Sequence, residues 1–334
     1  MNTMTQAQAI RIHAYGEPDE MRLEQVEVSS PAPGEVQIVQ HAVGVNYLDT
    51  YHRRGLFPLP AMPATLGVEH AGVVTQVGDG VTRLRVGDRV AYACPPIGSY
   101  TTLRNLPARH VVRLPAEVSF EQAAAATLQG LTAHMLLHKV ARVGPGTSIL
   151  VHAAAGGLGS LLTQWAKRLG ARVIGIVGSD EKAEIARLQG CDDVIVGRGP
   201  VFVEETLRLT GRQGVDVVFE GIGGEIFHQS LRVARPFGQV VNLGQAGEGL
   251  PSVNLADLGP ARSLSVSVPG VFAYVRTHTD LQGVADELFG LIRGGELKVR
   301  IGGRFPLRDA AEAHKALQSR GTTGSLVLLP EVQA

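Results

Sequence analysis

The chain has 334 residues, 44% hydrophobic and 19% charged, which is enough apolar side chain for more than one core and excludes a disordered segment. Its 31 basic and 31 acidic residues cancel and no Lys/Arg block stands out, which excludes the basic footprint of a protein that tracks nucleic-acid phosphates. Two cysteines, Cys94 and Cys191, exclude a disulfide scaffold and read as free structural thiols of a reducing compartment.

Residues 1–16 lack a basic start followed by an apolar core, and no stretch approaches the length of a membrane span, so a soluble, cytoplasmic protein is expected. The segment up to about Val118 reads as β-rich. Short strands at Val36–Val43, Gly72–Val77 and Asp88–Tyr92, separated by Gly-Asp turns, suggest a small barrel-like β domain. At Ser119 the character changes. Ser119 with Gln122 predicts a capping box, and a helix then runs through about His138, broken near Gly130.

From Thr147 strands and helices alternate. Strands are expected at Ser148–His152, Arg172–Val177, Asp192–Val196, Val215–Phe219 and Gln239–Leu243, with a sixth at Leu264–Val268. Helices are expected at Leu158–Leu169, Glu181–Leu188 and between the fourth and fifth strands. Such alternation predicts a doubly wound parallel sheet with helices on both faces. After about Tyr274 come a helix at Leu281–Arg293, short strands, a helix at Ala310–Ser319 and a closing strand at Ser325–Leu329. This tail is expected to pack back on the first domain.

The strand Ser148–His152 runs into Ala153-Ala154-Ala155-Gly156-Gly157-Leu158-Gly159, which opens a helix. Read as Ala154-x-Gly156-x-x-Gly159, this is a dinucleotide fingerprint with Ala for the first Gly. Small residues permit the turn, a missing side chain lets the backbone approach a pyrophosphate, and the last Gly lets helix and strand pack closely. The second strand ends at Val177, without the acidic residue that binds ribose hydroxyls in NAD enzymes. Ser179 and Lys182 follow and suit a 2′-phosphate, which favours NADPH, while Asp180 and Glu181 blur the preference.

Three motifs carry a family resemblance: Gly44 through Gly55 with Asn46 and Tyr51, Pro63 through Val73, and Gly87-Asp88-Arg89-Val90. With the Ala153–Gly159 loop and Gln164-Trp165-Ala166-Lys167, the chain resembles the zinc-free quinone oxidoreductase (zeta-crystallin-like) family of the medium-chain dehydrogenase/reductases over nearly its whole length. The resemblance implies an α/β fold: a Rossmann doubly wound parallel sheet plus a GroES-like β-barrel-type catalytic domain. The expected division is 1–127 for the first part of the catalytic domain, 128–272 for the nucleotide-binding domain, and 273–334 for the segment that returns to the first.

Zinc-dependent members of this superfamily hold the metal with Cys, His and Cys. Here Asn46 stands for the first Cys, Val68 for the His, and Gly130-Leu131-Thr132 carries no Cys, so no metal is expected. His134 and His138, four apart on one helical face, read as ordinary helix histidines, and Glu69-His70 as a structural pair. A carbonyl reductase needs a Lewis acid for its forming alkoxide, whereas a quinone is a strong acceptor whose reduced oxygens solvent can protonate. The expectation is an NADPH-dependent quinone reductase. The alternatives are an enal or enone reductase on the same scaffold and an NADPH-binding protein without turnover.

By resemblance, Asn46 and Tyr51 meet the nicotinamide and substrate, and Thr132 meets the nicotinamide amide. Ala155, Gly156, Gly157, Leu158 and Gly159 surround the pyrophosphate. Ser179, Lys182 and Arg320 hold the 2′-phosphate, and Leu243 and Gly244 line the ribose. Tyr51 is a candidate proton donor or a packing residue. The family pattern is broken at Phe57, where relatives have Tyr, and at Gly197, where a Tyr covers the adenosine phosphate and neighbouring Arg198 is the candidate substitute. Gln129 stands for a Lys and Glu220 for an Asp. A homodimer is expected, with Leu264–Val268 as the edge strand that pairs.

Overall fold

The structure is a computed structural model that describes residues 4–93, 95–197, 199–247, 249 and 252–331. Cys94 and Arg198 lie outside the described residues. The chain divides into two compact units, one of Met1–Leu131 with Phe272–Ala334, the other of Thr132–Val271. The first crossing between these units falls after Leu131 and the return after Val271. It lies inside the helix Thr127–His134, where a helix start is legible in sequence but a change of packing partner is not.

In the first unit, seven of the described strands form one sheet, ordered Ile301–Pro306, Ser325–Leu329, Glu35–Val45, Glu69–Val77, Arg89–Ala93 and Val111–Arg113, with Leu103–Pro107 also paired to Glu35–Val45. The long strand Glu35–Val45 shifts register against Glu69–Val77 at Gln37/Ile38 and again at Gln40/Ala42. Such bulges bend a strand and let a sheet curl. Thr5–Ile12, with Arg22–Val28 and Ala64–Thr65, makes a smaller sheet. Ile10, Ile12, Val43, Leu66, Tyr100, Leu307 and Leu326 bury together, so the returning tail shares a core with the N-terminal strands.

Ser119 does cap a helix, accepting from the Gln122 N–H at 3.1 Å while Gln122 Oε1 accepts from the Ser119 N–H at 3.0 Å. The expected break at Gly130 is corrected. The helix stops at Ala124 and resumes at Thr127, then widens into a π-helical stretch at Met135–Val140. Gly130 sits mid-helix for a packing reason, because a Cβ there would lie 2.4 Å from the Leu288 side chain.

In the second unit, six parallel strands take the order Asp193–Val196, Arg172–Val177, Ser148–His152, Val215–Glu220, Ala234–Asn242, Ser265–Ser267. In the unit's own sequence this is 3-2-1-4-5-6, the doubly wound arrangement whose ligand crevice opens at the carboxyl ends of strands one and four. The helices Gly157–Arg168, Asp180–Leu188, Pro200–Leu209 and Gly224–Val233 cover it, and Leu150, Ile174, Phe202, Val218, Phe227 and Val240 fill the core. The fifth strand starts earlier than expected, at Ala234, because a register shift opposite Val215/Val217 accommodates the Arg235–Gly238 bend. Ser265–Ser267 is an edge strand. Among the described residues no helix is long and apolar enough to cross a membrane.

Candidate active site

The glycine loop occupies the switch point of the six-stranded sheet. Ala153 takes φ +53°, Ala154 and Ala155 are buried, and the helix Gly157–Arg168 starts with Gly156 as its N-cap. No side chain caps it. The N–H groups of Gly157, Leu158 and Gly159 have no intrahelical acceptor, so they and the positive end of the helix dipole are available to an anion. A Cβ on Gly159 would lie 2.3 Å from Ala153 O, and one on Gly156 3.1 Å from the same atom. The cradle fits a dinucleotide pyrophosphate: it is shaped by absent side chains and presents the N–H groups of a helix's first turn.

After the fourth strand, Glu220 is buried and ties down the next turn. Its carboxyl accepts from the Ile222 N–H, from the Gly223 N–H at 2.9 Å and from Asn242 Nδ2 at 3.0 Å. Asn242 Nδ2 also donates to Gly244 O at 3.0 Å, which fixes Leu243 and Gly244 beyond the strand end. Ser179 caps the helix Asp180–Leu188, accepting from the Lys182 N–H at 3.4 Å. Its hydroxyl also holds the Glu181 carboxyl below the usual carboxylate range. Lys182 is half-buried at the first turn of that helix. Gly197 takes φ +143°, a conformation side chains rarely adopt, which accounts for glycine there. Thr132 is half-buried on the helix Thr127–His134. The rings of His134 and His138 lie 4.4 Å apart, each edge-on to Trp165.

In the other unit, Asn46 N-caps the helix Tyr47–Arg53 and is 7% exposed. Its backbone N–H donates to Asp49 Oδ2 at 2.8 Å, and its Nδ2 donates to Glu69 Oε2 at 2.8 Å. Tyr51, on the same helix, is buried with its ring edge-on to Phe57, the centroids 5.7 Å apart. Arg320 is exposed with φ +61°.

Glu69 and His70 are not a pair. Neighbours on a strand face opposite sides, and His70 Nδ1 meets Ser99 Oγ at 3.0 Å while its ring stacks on Tyr92. The role of Glu69 as the acceptor for Asn46 was therefore missed, as was that of Asp49. The Asn46-x-x-Asp49 spacing was the available signal, a cap with an acidic residue three positions on.

Burial dominates the titration of this cluster. It pushes Glu69 up to about 8, against N–H donors from Asn46 and Leu128, and Asp49 up to about 7, against the Asn46 N–H and the Tyr100 hydroxyl. Burial pushes His152 down to about 3, and burial with nearby Arg53 does the same to His314. A histidine held neutral stabilises the fold above its ordinary 6.5 and loses that stability as pH falls towards about 3. A carboxyl held neutral stabilises below its ordinary value and loses that stability as pH rises through its folded value. In the interval from 6.5 to about 8 the two acids dominate. Denaturation midpoints are therefore expected to decline from pH 6.5 to pH ~9. A flat profile across that range would contradict the burial of neutral Glu69 and Asp49.

Residues 32–116 match the family described as alcohol dehydrogenase GroES-like domain, and residues 157–289 the family described as zinc-binding dehydrogenase. The quinone oxidoreductase of Pseudomonas aeruginosa is 43% identical over 97% of this chain and 100% of its own length. The chain belongs to the quinone oxidoreductase family. A crystal structure of the Escherichia coli quinone oxidoreductase complexed with NADPH superposes with a TM-score of 0.94, at 40% identity, covering 97% of this chain and 100% of that one. The 2-haloacrylate reductase of a Burkholderia species is 41% identical over 96% of this chain and 98% of its own length. The family fold, a Rossmann sheet with a GroES-like unit, is the fold expected from the sequence.

A zinc centre does not fit the residues around Asn46. The Asn46 amide nitrogen is not a metal donor, both Glu69 oxygens accept from N–H groups at 2.7 and 2.8 Å, and Val68 offers no ligand atom.

Proposed function

We propose that this protein is an NADPH-dependent quinone reductase acting by metal-free hydride or electron transfer. Two electrons and two protons convert the quinone to a hydroquinone, one proton arriving from solvent. The observation that carries the reading is the glycine cradle, with the first-turn N–H groups of a helix that no side chain caps, at the sheet's switch point in a chain of this family. When bound, the nicotinamide supplies the hydride. Ala155 through Gly159 hold the pyrophosphate, and Ser179, Lys182 and Arg320 hold the 2′-phosphate. Leu243 and Gly244 shape the ribose side, Thr132 meets the carboxamide, and Asn46 and Tyr51 orient the acceptor. Residues 1–127 and 273–334 serve as the catalytic domain and 128–272 as the nucleotide-binding domain.

The likeness to a 2-haloacrylate reductase favours a second reading, reduction of an activated alkene by the same chemistry. Following nicotinamide absorbance in excess chelator, with a naphthoquinone, an enone and an aldehyde as acceptors, separates the two. Quinone turnover that survives the chelator supports the first reading, and turnover with the enone alone supports the second. Tight NADPH binding with no turnover makes the protein a binder.

Lys182→Ala tests the cofactor preference. NADPH binding is expected to weaken by roughly 1–3 kcal/mol, the scale of a charged hydrogen bond, with NADH unchanged. Equal loss for both cofactors would remove Lys182 from the phosphate site. The protein acts in the cytoplasm as a homodimer paired through the edge strand Ser265–Ser267, an unpaired edge being a template for a second copy. A monomer-sized mass in light scattering would rule out the dimer.

A further inference from the structure

Next to Asn46 lies a carboxyl group that the reaction above does not use. Glu69 is 1% exposed, and its Oε1 accepts from the Leu128 N–H at 2.7 Å while Oε2 accepts from Asn46 Nδ2 at 2.8 Å. In an uninterrupted helix the Leu128 N–H would donate to the carbonyl of Ala124, four residues back. Here the helix stops at Ala124 and restarts at Thr127, and Glu69 receives that N–H instead. The Ala124 carbonyl stays close. A Cβ placed on Gly44 would fall 2.2 Å from Ala124 O and 2.4 Å from Glu69 Oε2, so both oxygens converge on the space that glycine leaves open. Two acceptor oxygens that border one small gap in a dry interior repel unless one of them carries a proton.

We propose that Glu69 is carried as a neutral acid, its Oε2–H donating to Ala124 O and its Oε1 accepting from Leu128, so that it splices the broken helix and positions the Asn46 amide for turnover. The hydroxyl oxygen keeps a lone pair for the Asn46 N–H. Asn46 Nδ2 keeps a second proton, a donor suited to the oxygen that gains charge as a quinone is reduced. Glu69 is thus a positioning residue, and this role rests on the reading of Asn46 as a residue that meets the nicotinamide and substrate.

The groups facing Glu69 favour the neutral form. Asp49, from the helix Tyr47–Arg53, opposes a second negative charge, and Glu69 in turn raises the Tyr100 phenol. The strand Glu35–Val45 presents Gly44, the strand Arg89–Ala93 pairs through Ala93, and the broken helix presents the N–H groups of Thr127 and Leu128. The donors that oppose burial here are N–H groups of Asn46, Leu128 and Thr127.

Glu69→Gln separates the two roles. Its amide can still donate to Ala124 O and accept from Leu128, so the splice survives, but its nitrogen cannot accept the Asn46 N–H. The variant is expected to melt near the wild-type temperature at neutral pH and to lose much of the decline in stability above pH 6.5. Its NADPH affinity should stay within about twofold, while kcat with a quinone falls by about tenfold or more, the loss of one hydrogen bond to a polar group. Infrared difference spectra of carbon-13-glutamate protein should show a protonated carboxyl band in the wild type at neutral pH. That band should titrate away through about 8 and be missing from Glu69→Gln. Should Glu69→Gln not fold, the same band in Glu220→Gln decides, since Glu220 is the other described glutamate that burial raises.

An ionised Glu69 at neutral pH would overturn the neutral-acid assignment. Unchanged kcat and KM in Glu69→Gln, beside an active wild type, would overturn the positioning role. A wild type inert toward quinones and alkenes would sink the proposed function instead, and the infrared titration would still decide the state of Glu69.

Discussion

Gly159→Val is expected to abolish useful NADPH binding and to destabilise the nucleotide unit. The added Cβ would lie 2.3 Å from Ala153 O and 2.9 Å from Ala154 Cα, both backbone atoms that cannot swing aside. Relief requires the helix Gly157–Arg168 to lift from the strand Ser148–His152, which moves the N–H groups that the pyrophosphate needs. Overpacking of this kind costs roughly 1–3 kcal/mol of stability. Displacing several donors at once should weaken NADPH by about 100-fold or more, equivalent to about 2.8 kcal/mol. Gly156→Ala is the contrast, because its Cβ would sit 3.1 Å from Ala153 O and needs a shift of only a few tenths of an ångström. It should lose affinity with little change in melting temperature. Calorimetric titration and thermal melts of both variants check this, and wild-type NADPH affinity in Gly159→Val would remove the pyrophosphate from this loop.

That loop is where the sequence was most legible. Its meaning depends on local geometry alone: a buried β run, small residues, then an amphipathic helix. The strands Ser148–His152, Arg172–Val177 and Ser325–Leu329 likewise fall where alternation and β-branching put them. The helix Pro200–Leu209 was not foreseen, although Pro200 at its first turn and an apolar face through Phe202, Val203 and Thr206 mark it. Strands such as Thr5–Ile12 and Leu103–Pro107 lack a regular apolar alternation and take their place from partners far along the chain, as when Leu103 pairs with Val39. The candidate site divides in the same way. Asn46, Tyr51 and the glycine loop were found from motifs. Tyr100, Arg53 and His314 carry no local signature, because what makes them matter is a network joining sequence positions more than 200 apart.

That network is the place to expect the largest loss of stability, in Arg53→Met. Arg53 is fully buried. Its Nη1 meets His314 Nδ1 at 3.0 Å, its Nε donates to Gly16 O at 3.0 Å, and its Nη2 donates to Gln318 Oε1 at 3.1 Å. A guanidinium only donates, so His314 Nδ1 is the acceptor, and the neutral ring carries its proton on Nε2. That proton goes to the Tyr100 oxygen at 2.9 Å, which frees the phenol O–H to donate to Asp49 Oδ2 at 3.0 Å, the atom that also takes the Asn46 N–H. One cation thus fixes the direction of every hydrogen bond as far as the cap of the helix that bears Tyr51. Methionine fills much of the volume but leaves the buried His314 Nδ1 and the half-buried Gly16 and Gln318 oxygens without their donor, a change that costs about 3–5 kcal/mol. Lysine should not rescue it, since a single ammonium cannot reproduce the fork. Tyr100→Phe breaks the chain at one link and leaves Arg53 satisfied, so it should cost only about 1–3 kcal/mol. Denaturant unfolding of the three variants gives the order, and an Arg53→Met protein as stable as Tyr100→Phe would show that the guanidinium does not organise the chain.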